Sequence, residues 1–153
     1  MSRMTKITVL YGTETGNSEL LAMDICKAGE NSGLVCEHLG MEIIDSSDFS
    51  DIENLLIVCS TWGDGEQPDN AIDLFDHVEG LDEGELQNMK FSVLALGDTA
   101  FDLFCEAGKE WDRVLEEKGA TRVYDRVDCD VDYEDDAEEW IEDVISILSS
   151  NQD

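Results

Sequence analysis

Short apolar runs alternate with segments that repeat apolar residues every three or four positions, from one end of the chain to the other. The runs predict five strands, at 7–11, 34–39, 55–59, 91–96 and 122–127. The helical spacing predicts four helices, with their apolar positions at 21–28, 71–78, 104–114 and 137–148. The third and fourth runs have no polar alternation, which is typical of strands buried on both faces of a parallel sheet.

This order of elements predicts an α/β fold, a three-layer doubly wound sandwich around a five-stranded parallel sheet. The 153 residues suit one domain with one sheet, so residues 1–153 are expected to form a single unit. In such a sheet, ligands bind beyond the carboxyl ends of the strands, near the point where the strand order reverses. The loops after the first, third and fourth strands are therefore the places where a site is expected.

The first of these loops, at 12–18, reads Gly-Thr-Glu-Thr-Gly-Asn-Ser and leads into a helix. Hydroxyl groups of Thr13, Thr15 and Ser18 accompany the unpaired N–H groups of the helix start. Together these uncharged donors predict a phosphate site, although the loop has no lysine or arginine. An ordinary helix cap made by Asn17 or Ser18 is the alternative.

Aromatic residues mark the other two loops. Trp62 lies in the loop 60–66, where its flat face suits stacking on a conjugated ligand, and a tryptophan that only covers the core is the alternative. Phe101 lies in the loop 97–105, and Phe104 also fits the apolar stripe of the following helix. Other phosphate sites are not supported, because the chain has neither a GxxxxGK[ST] motif nor a GxGxxG motif after its first strand.

The chain carries a net charge of −29, from 38 acidic and 9 basic residues. Such a surface repels nucleic acids and anionic membranes and favours basic protein partners, and adaptation to salt is an alternative reason for the acidity. No apolar run approaches about 18 residues and no secretion signal is apparent, so no membrane association and a cytoplasmic location are expected. The cysteines are odd in number and form no CxxC pair, which predicts free, mostly buried thiols in a reducing compartment: Cys26, Cys36, Cys59, Cys105 and Cys129.

The three loops together resemble those of the flavodoxin family. Residues 13–18 match the family's phosphate-loop pattern T/S-x-T-G-x-T/S, 60–65 resembles the flavin-facing loop of short-chain members, and 97–105 resembles the loop on the other side of the flavin. The resemblance covers the chain from residue 6 to about residue 148, and it implies bound FMN and the flavodoxin-like strand order 2-1-3-4-5. The segment 65–71 resembles instead the FMN module of diflavin reductases.

By this resemblance, Ser60 and Thr61 lie near the ribityl chain of FMN, and the ring lies between Trp62 on its inner face and Phe101 on its outer face. Family members usually carry tyrosine at the position of Phe101, so stacking is kept and the phenol is lost. The resemblance implies eighteen cofactor-binding residues: Thr13, Glu14, Thr15, Gly16, Asn17, Ser18, Ser60, Thr61, Trp62, Gly63, Asp64, Gly65, Leu96, Gly97, Asp98, Phe101, Phe104 and Cys105.

The family is one of electron carriers, in which FMN supplies the redox chemistry and the protein supplies binding and electrostatics. Burial and the acidic residues Asp64, Glu66, Asp98 and Asp102 near the ring are expected to disfavour an anionic reduced flavin and to lower its second potential. Gly63 is expected to let its carbonyl turn toward the flavin and favour a neutral semiquinone. No catalytic pair or metal-ligand cluster is apparent in the sequence.

The implied partners are basic faces of a flavodoxin reductase and of acceptor redox proteins, and the chain itself is expected to be a monomer without substrate chemistry. Two alternatives stay open. One is an accessory FMN protein dedicated to a single radical enzyme, and the other is a quinone reductase of the flavodoxin type, for whose longer loops this chain offers little room. A module that has lost its flavin is the least favoured, because the glycines and aromatic residues of the loops are retained.

Overall fold

The computed structural model describes residues 5–13, 16–61, 65–98 and 105–150. In chain order, the elements are β1 (Lys6–Gly12), α1 (Asn17–Asn31), β2 (Val35–Gly40), α2 (Ser46–Phe49), β3 (Asn54–Ser60), α3 (Ile72–Glu79), β4 (Lys90–Leu96), α4 (Glu106–Glu117), β5 (Thr121–Arg122), β6 (Val127–Cys129) and α5 (Glu134–Ser150). A 3₁₀ turn at Asp69–Ala71 leads directly into α3. Within these residues, no helix is both long enough and apolar enough to cross a membrane.

The strands pair in parallel in the order β2-β1-β3-β4-β5, and β6 continues alongside β4 after β5. This confirms the strand order 2-1-3-4-5 and the α/β class. Five consecutive residues of β3, from Leu55 to Cys59, are completely buried, as are Phe91 to Ala95 in β4. The two continuous apolar runs therefore form the centre of the sheet, covered on both faces.

Helices cover the sheet on both sides and create two apolar layers. On one side, α1 and α5 pack on Ile7 and Val9 of β1, and Trp140 of α5 is fully buried there. On the other side, α3 and α4 pack on Leu10 and on the facing residues of β3 and β4. Trp111 of α4 is fully buried in this second layer and meets the Phe75 ring edge-on at 5.1 Å. The three-layer arrangement is therefore confirmed.

The predicted fifth strand at 122–127 is wrong in its bounds. The structure pairs only Thr121–Arg122 and then Val127–Cys129 with β4, and residues 123–126 between them form no strand. The cause is a buried carboxylate, Asp112 of α4, which is only 7% exposed. Its two oxygens accept from Arg122 Nε and from Arg126 Nη1, each at 2.8 Å, so the chain bends to bring both guanidinium groups to it.

The prediction of five free thiols is also wrong. Cys26 of α1 and Cys36 of β2 form a disulfide, with their Cα atoms 5.1 Å apart, whereas Cys59, Cys105 and Cys129 are free and buried. The helix packs against the strand that follows it, so residues ten positions apart meet across the α1–β2 turn. Such a pairing depends on tertiary packing and has no spacing motif in the sequence.

We expect protein purified without reductant to show three alkylatable thiols when unfolded and five after reduction, counted by mass spectrometry. Because a disulfide restricts the unfolded chain, Cys36→Ser should lower the free energy of unfolding by about 2–4 kcal/mol in urea titrations. The same comparison in the presence of a strong reductant is the control, and there most of the difference should disappear. Alkylation of all five thiols before reduction would contradict the pairing.

Candidate functional site at the carboxyl edge of the sheet

The ends of three neighbouring strands lie side by side at one edge of the sheet. Gly12 of β1 pairs in register with Cys59 of β3, and Ser60 of β3 pairs with Leu96 of β4. One residue further on, the Thr61 amide donates to the Leu96 carbonyl at 3.0 Å. The described parts of the three loops predicted from the sequence therefore begin on neighbouring strands, at the same edge.

The start of α1 has no side-chain cap. Gly16 is the N-cap residue, in a left-handed conformation with φ 93°, and its own amide donates to Thr13 Oγ1 at 2.8 Å. This geometry does not match the alternative of an ordinary cap by Asn17 or Ser18. The N–H groups of a first helical turn have no carbonyl partner within the helix, and such groups can donate to an anion.

Ser18 is completely buried although it is only the second residue of α1. Its hydroxyl lies 2.8 Å from the hydroxyl of Ser60, which comes from the end of β3. In this pair only one hydroxyl can donate to the other, so the second hydrogen is free for another acceptor. The pair links the first predicted loop to the second.

Asn70 is a residue of this site whose role the sequence analysis missed. Its side-chain oxygen accepts from the Thr13 amide at 2.9 Å, and its side-chain nitrogen donates to the Tyr11 carbonyl at 3.2 Å and to Glu42 Oε1 at 3.3 Å. These bonds fix the chain where it leaves β1. The sequence signal was the resemblance of 65–71 to an FMN module, but a contact across 57 positions is not visible in a single sequence.

Gln67 and Thr61 attach the second loop to the beginning of α4. Thr61 Oγ1 accepts from the Ala107 amide at 3.1 Å, and Gln67 Nε2 donates to the Ala107 carbonyl at 3.0 Å. Gln67 Oε1 accepts from Trp111 Nε1 at 3.0 Å, so the buried indole N–H is satisfied. The second loop and the end of the third loop are thereby held at a fixed separation.

Cys105 and Gly97 lie near the two described ends of the third loop. Cys105 has a positive φ of 56°, and its buried thiol lies within hydrogen-bonding reach of the carbonyls of Ala95, at 3.6 Å, and Cys129, at 3.5 Å. The Gly97 amide donates to the same Cys129 carbonyl at 2.9 Å. A Cβ on Gly97 would lie 2.8 Å from the Cys105 nitrogen, so only glycine fits this close approach.

The site has no basic residue in its loops, because the segments 11–20, 60–70 and 96–106 contain no lysine or arginine. Tyr11 donates its phenol hydrogen to Glu19 Oε2 at 2.8 Å. Burial, together with this bond to a carboxylate, raises the pKa of Tyr11 to about 12. An anion bound here would therefore depend on N–H and O–H donors and on the helix dipole.

Eleven of the predicted site residues are described and belong to these three converging segments: Thr13, Gly16, Asn17, Ser18, Ser60, Thr61, Gly65, Leu96, Gly97, Asp98 and Cys105. The other seven lie outside the described residues, and their roles stay predictions: Glu14, Thr15, Trp62, Gly63, Asp64, Phe101 and Phe104. In the part of the chain that the structure describes, no group of three or more His, Cys, Asp or Glu side chains is placed to hold a metal ion.

A doubly wound parallel sheet with a helix start and hydroxyl donors at its carboxyl edge is typical of α/β proteins that bind a ligand beyond the ends of their strands. A family model described as Flavodoxin matches residues 9–142. The chain belongs to the flavodoxin family. FMN is the cofactor of this family and supports electron transfer in it, so the cofactor implied by the resemblance is confirmed.

Solved flavodoxins share this fold along almost their entire length. A flavodoxin of Streptococcus pneumoniae TIGR4 is 27% identical and superposes with a TM-score of 0.84, over 95% of this chain and 99% of that chain. Oxidised Flavodoxin 2 from Bacillus cereus is 29% identical, with a TM-score of 0.77 over 95% of this chain and 99% of that chain.

Curated relatives with higher identity are much longer proteins. The sulfite reductase [NADPH] flavoprotein alpha-component of Bacillus subtilis (strain 168) is 44% identical over 144 residues, which are 94% of this chain and 24% of the relative. The component with the same name in Vibrio cholerae is 36% identical over 143 residues, 94% of this chain and 23% of the relative. The chain thus spans about a quarter of the length of these relatives.

The buried thiols predict a loss of stability at high pH. Burial, the largest cause, raises the pKa of Cys105 and of Cys129 from 9.0 to about 12. A raised pKa in the folded state means that stability is fully present below the unfolded pKa and is lost as the pH rises toward the folded value. We therefore expect the free energy of unfolding to fall between about pH 9 and pH 12 in urea titrations. Cys105→Ala should make this fall smaller, and an unchanged slope in that variant would contradict the assignment.

Proposed function

We propose that this chain carries electrons from a reductase to acceptor redox enzymes with FMN as its redox group, and that it performs no substrate chemistry of its own. The observation that carries the proposal is the start of α1, where the helix has no side-chain cap and the hydroxyls of Ser18 and Ser60 meet. Membership of the flavodoxin family supports the same conclusion. When bound, FMN supplies one-electron and two-electron redox chemistry.

The residues at the start of α1 fit the phosphate end of FMN. The first-turn amides of Asn17 and Ser18 would donate to phosphate oxygens, and so would the Ser18 hydroxyl when it accepts the hydrogen of Ser60. Asn70 would keep Thr13 in place, since it holds both the Thr13 amide and the Tyr11 carbonyl. In this proposal the phosphate is held without a charge partner, and its position is set by the rigid end of β1.

The second and third loops would hold the ring. Gly97 allows the backbone to approach closely, and Cys105 keeps the two ends of its loop together through the Cys129 carbonyl. Trp62 and Phe101 remain the residues proposed to cover the two faces of the ring and to exclude water. Acidic residues on these loops, such as Glu66 and Asp98, would oppose negative charge on the reduced flavin and so lower its second potential.

A second candidate concerns the acceptor. Identities of 36% and 44% to sulfite reductase flavoprotein components, together with the resemblance of 65–71 to diflavin reductases, favour the role of an FMN module that serves one reductase system. In that role the electrons would come from an NADPH-dependent flavoprotein and go to a sulfite-reducing partner. The net charge of −29 supports docking on basic faces of these partners by a monomeric carrier, and a cytoplasmic location stays part of the proposal.

Flavin titration tests the function directly. We expect flavin-free protein to take up one FMN per chain with submicromolar affinity, and to bind riboflavin, which lacks the phosphate, about 100-fold more weakly, because two or three hydrogen bonds to the phosphate are missing. Ser18→Ala should weaken FMN binding about tenfold and leave riboflavin binding unchanged. The holoprotein should accept electrons from NADPH only when a reductase is added.

Two results would contradict the proposal. Protein that retains no flavin after incubation with micromolar FMN would show that FMN is not its cofactor. Reduction by NADPH without a reductase would instead indicate an enzyme of the quinone-reductase type.

Asn70→Ala tests how the phosphate segment is positioned. The variant loses the bonds to the Thr13 amide and the Tyr11 carbonyl, so the dissociation constant for FMN should rise about tenfold in a fluorescence-quenching titration. Asn88→Ala, which changes an exposed asparagine outside the three loops, is the matched control and should bind FMN normally. Equal affinities in the two variants would show that Asn70 does not position the site.

A further inference from the structure

A half-open groove of about 780 Å³ runs from the starts of β1 and β3 to the carboxyl half of β2 and the segment that follows it. Its floor is the sheet near the start of β1, and its outer wall is the segment around α2 that links β2 to β3. The groove opens on the side of the sheet that carries α3 and α4. Its volume is within the range typical of small-molecule sites.

Thr8 lies in the floor of the groove, and its hydroxyl has no hydrogen-bond partner among the described residues. The residue is only 7% exposed, and in register it sits beside Glu37 of β2 and Leu55 of β3. In the same part of the chain, every side-chain nitrogen or oxygen that is completely shielded from solvent has a hydrogen-bond partner. The Thr8 oxygen has no such partner, so it must be exposed to the groove. A nearly buried hydroxyl that opens only into the groove can bond a ligand whose polar group reaches the floor.

Carboxylates dominate the rim, which carries a single basic side chain, Lys6, among the described residues. The Lys6 ammonium already lies 3.3 Å from a Glu37 oxygen, so the rim holds one alkylammonium group that belongs to the chain itself. Asp45 is engaged at the start of α2, where it accepts from the amide and the hydroxyl of Ser47. Three further rim carboxylates have no ion-pair partner in the described part of the chain: Asp48, Asp51 and Glu53.

The remaining lining is aliphatic. Leu39 of β2 and Ile44 and Ile52 of the linking segment are partly buried against the core, whereas Ile43 is 67% exposed. Carboxylates at the rim, a hydroxyl acceptor in the floor and aliphatic side chains between them match a ligand that has ammonium groups on a methylene chain. A compact inorganic cation would leave the aliphatic walls and the length of the groove unused.

We propose that this groove binds an aliphatic polyamine-type cation, with one ammonium on the Thr8 hydroxyl and the Glu37 carboxylate and the others on the rim carboxylates. The shared chemistry is a protonated primary amine on a methylene chain. It can come from a free polyamine or from lysine side chains of a protein partner. This proposal does not involve the residues proposed to hold the cofactor, because none of them lines the groove.

The test is a calorimetric titration of this chain at low ionic strength with spermidine as the probe. Thr8→Val keeps the shape of the side chain and the net charge of the protein, and it should weaken spermidine binding about tenfold. Thr8→Ser keeps the hydroxyl and should bind like the parent protein. Both variants should keep the FMN affinity of the parent, which also shows that they fold.

Charge-matched variants separate the groove from the general attraction of an acidic protein for cations. Asp48→Asn should weaken spermidine binding, whereas Glu138→Gln, which removes the same charge from an exposed position on α5, should not. The proposal is overturned if spermidine binds equally to the two Thr8 variants and the two charge variants. It is also overturned if the affinity depends only on the net charge of the protein. These two charge variants also keep the test valid if a Thr8 variant fails to fold.

A tri-lysine peptide amide distinguishes the two sources of the ammonium group. Thr8-dependent binding of spermidine but not of the peptide assigns the groove to free polyamines, and the reverse result assigns it to lysine side chains of a partner protein. Absence of Thr8-dependent binding for both probes overturns the proposal.

Discussion

The N-cap of α1 is Gly16, which has no side chain to bond the first amides of the helix, and the candidate cofactor site is arranged around these amides. Gly16 adopts a left-handed conformation, and its amide donates a hydrogen bond to the side-chain oxygen of Thr13. Asn70 then connects this turn to the end of β1. Because the strand is buried on both faces of the sheet, these donors are held rigidly, and an anion can be bound by geometry and dipole in the absence of a nearby positive charge.

The centre of the fold was predictable because its signals are local. Runs without polar alternation identified β3 and β4, and helical spacing identified α1, α3, α4 and α5. Glycine, hydroxyl and aromatic residues after the strands pointed to the carboxyl edge of the sheet, since parallel strands place their carboxyl ends together. The predicted strand order followed from the family resemblance and is confirmed by the pairing.

The parts that were missed or wrong depend on contacts between distant positions. The bend in the last strand comes from two arginines that reach Asp112 on another element, and no strand pattern records that ion pair. The disulfide needs the packing of α1 on β2, and Asn70 acts 57 positions away from Thr13. In each case the residue type was visible in the sequence, but its partner was set by the tertiary structure.

The bend at residues 123–126 also affects how the sheet ends at its outer side. Instead of one long outer strand, the sheet ends in two short strands, β5 with 2 residues and β6 with 3 residues. A long unpaired strand edge is a template for pairing with another chain, and short, interrupted edges remove that template. The salt bridges of Asp112 therefore leave only short stretches of backbone at this edge of the sheet for pairing with another chain, in addition to holding α4 against the sheet.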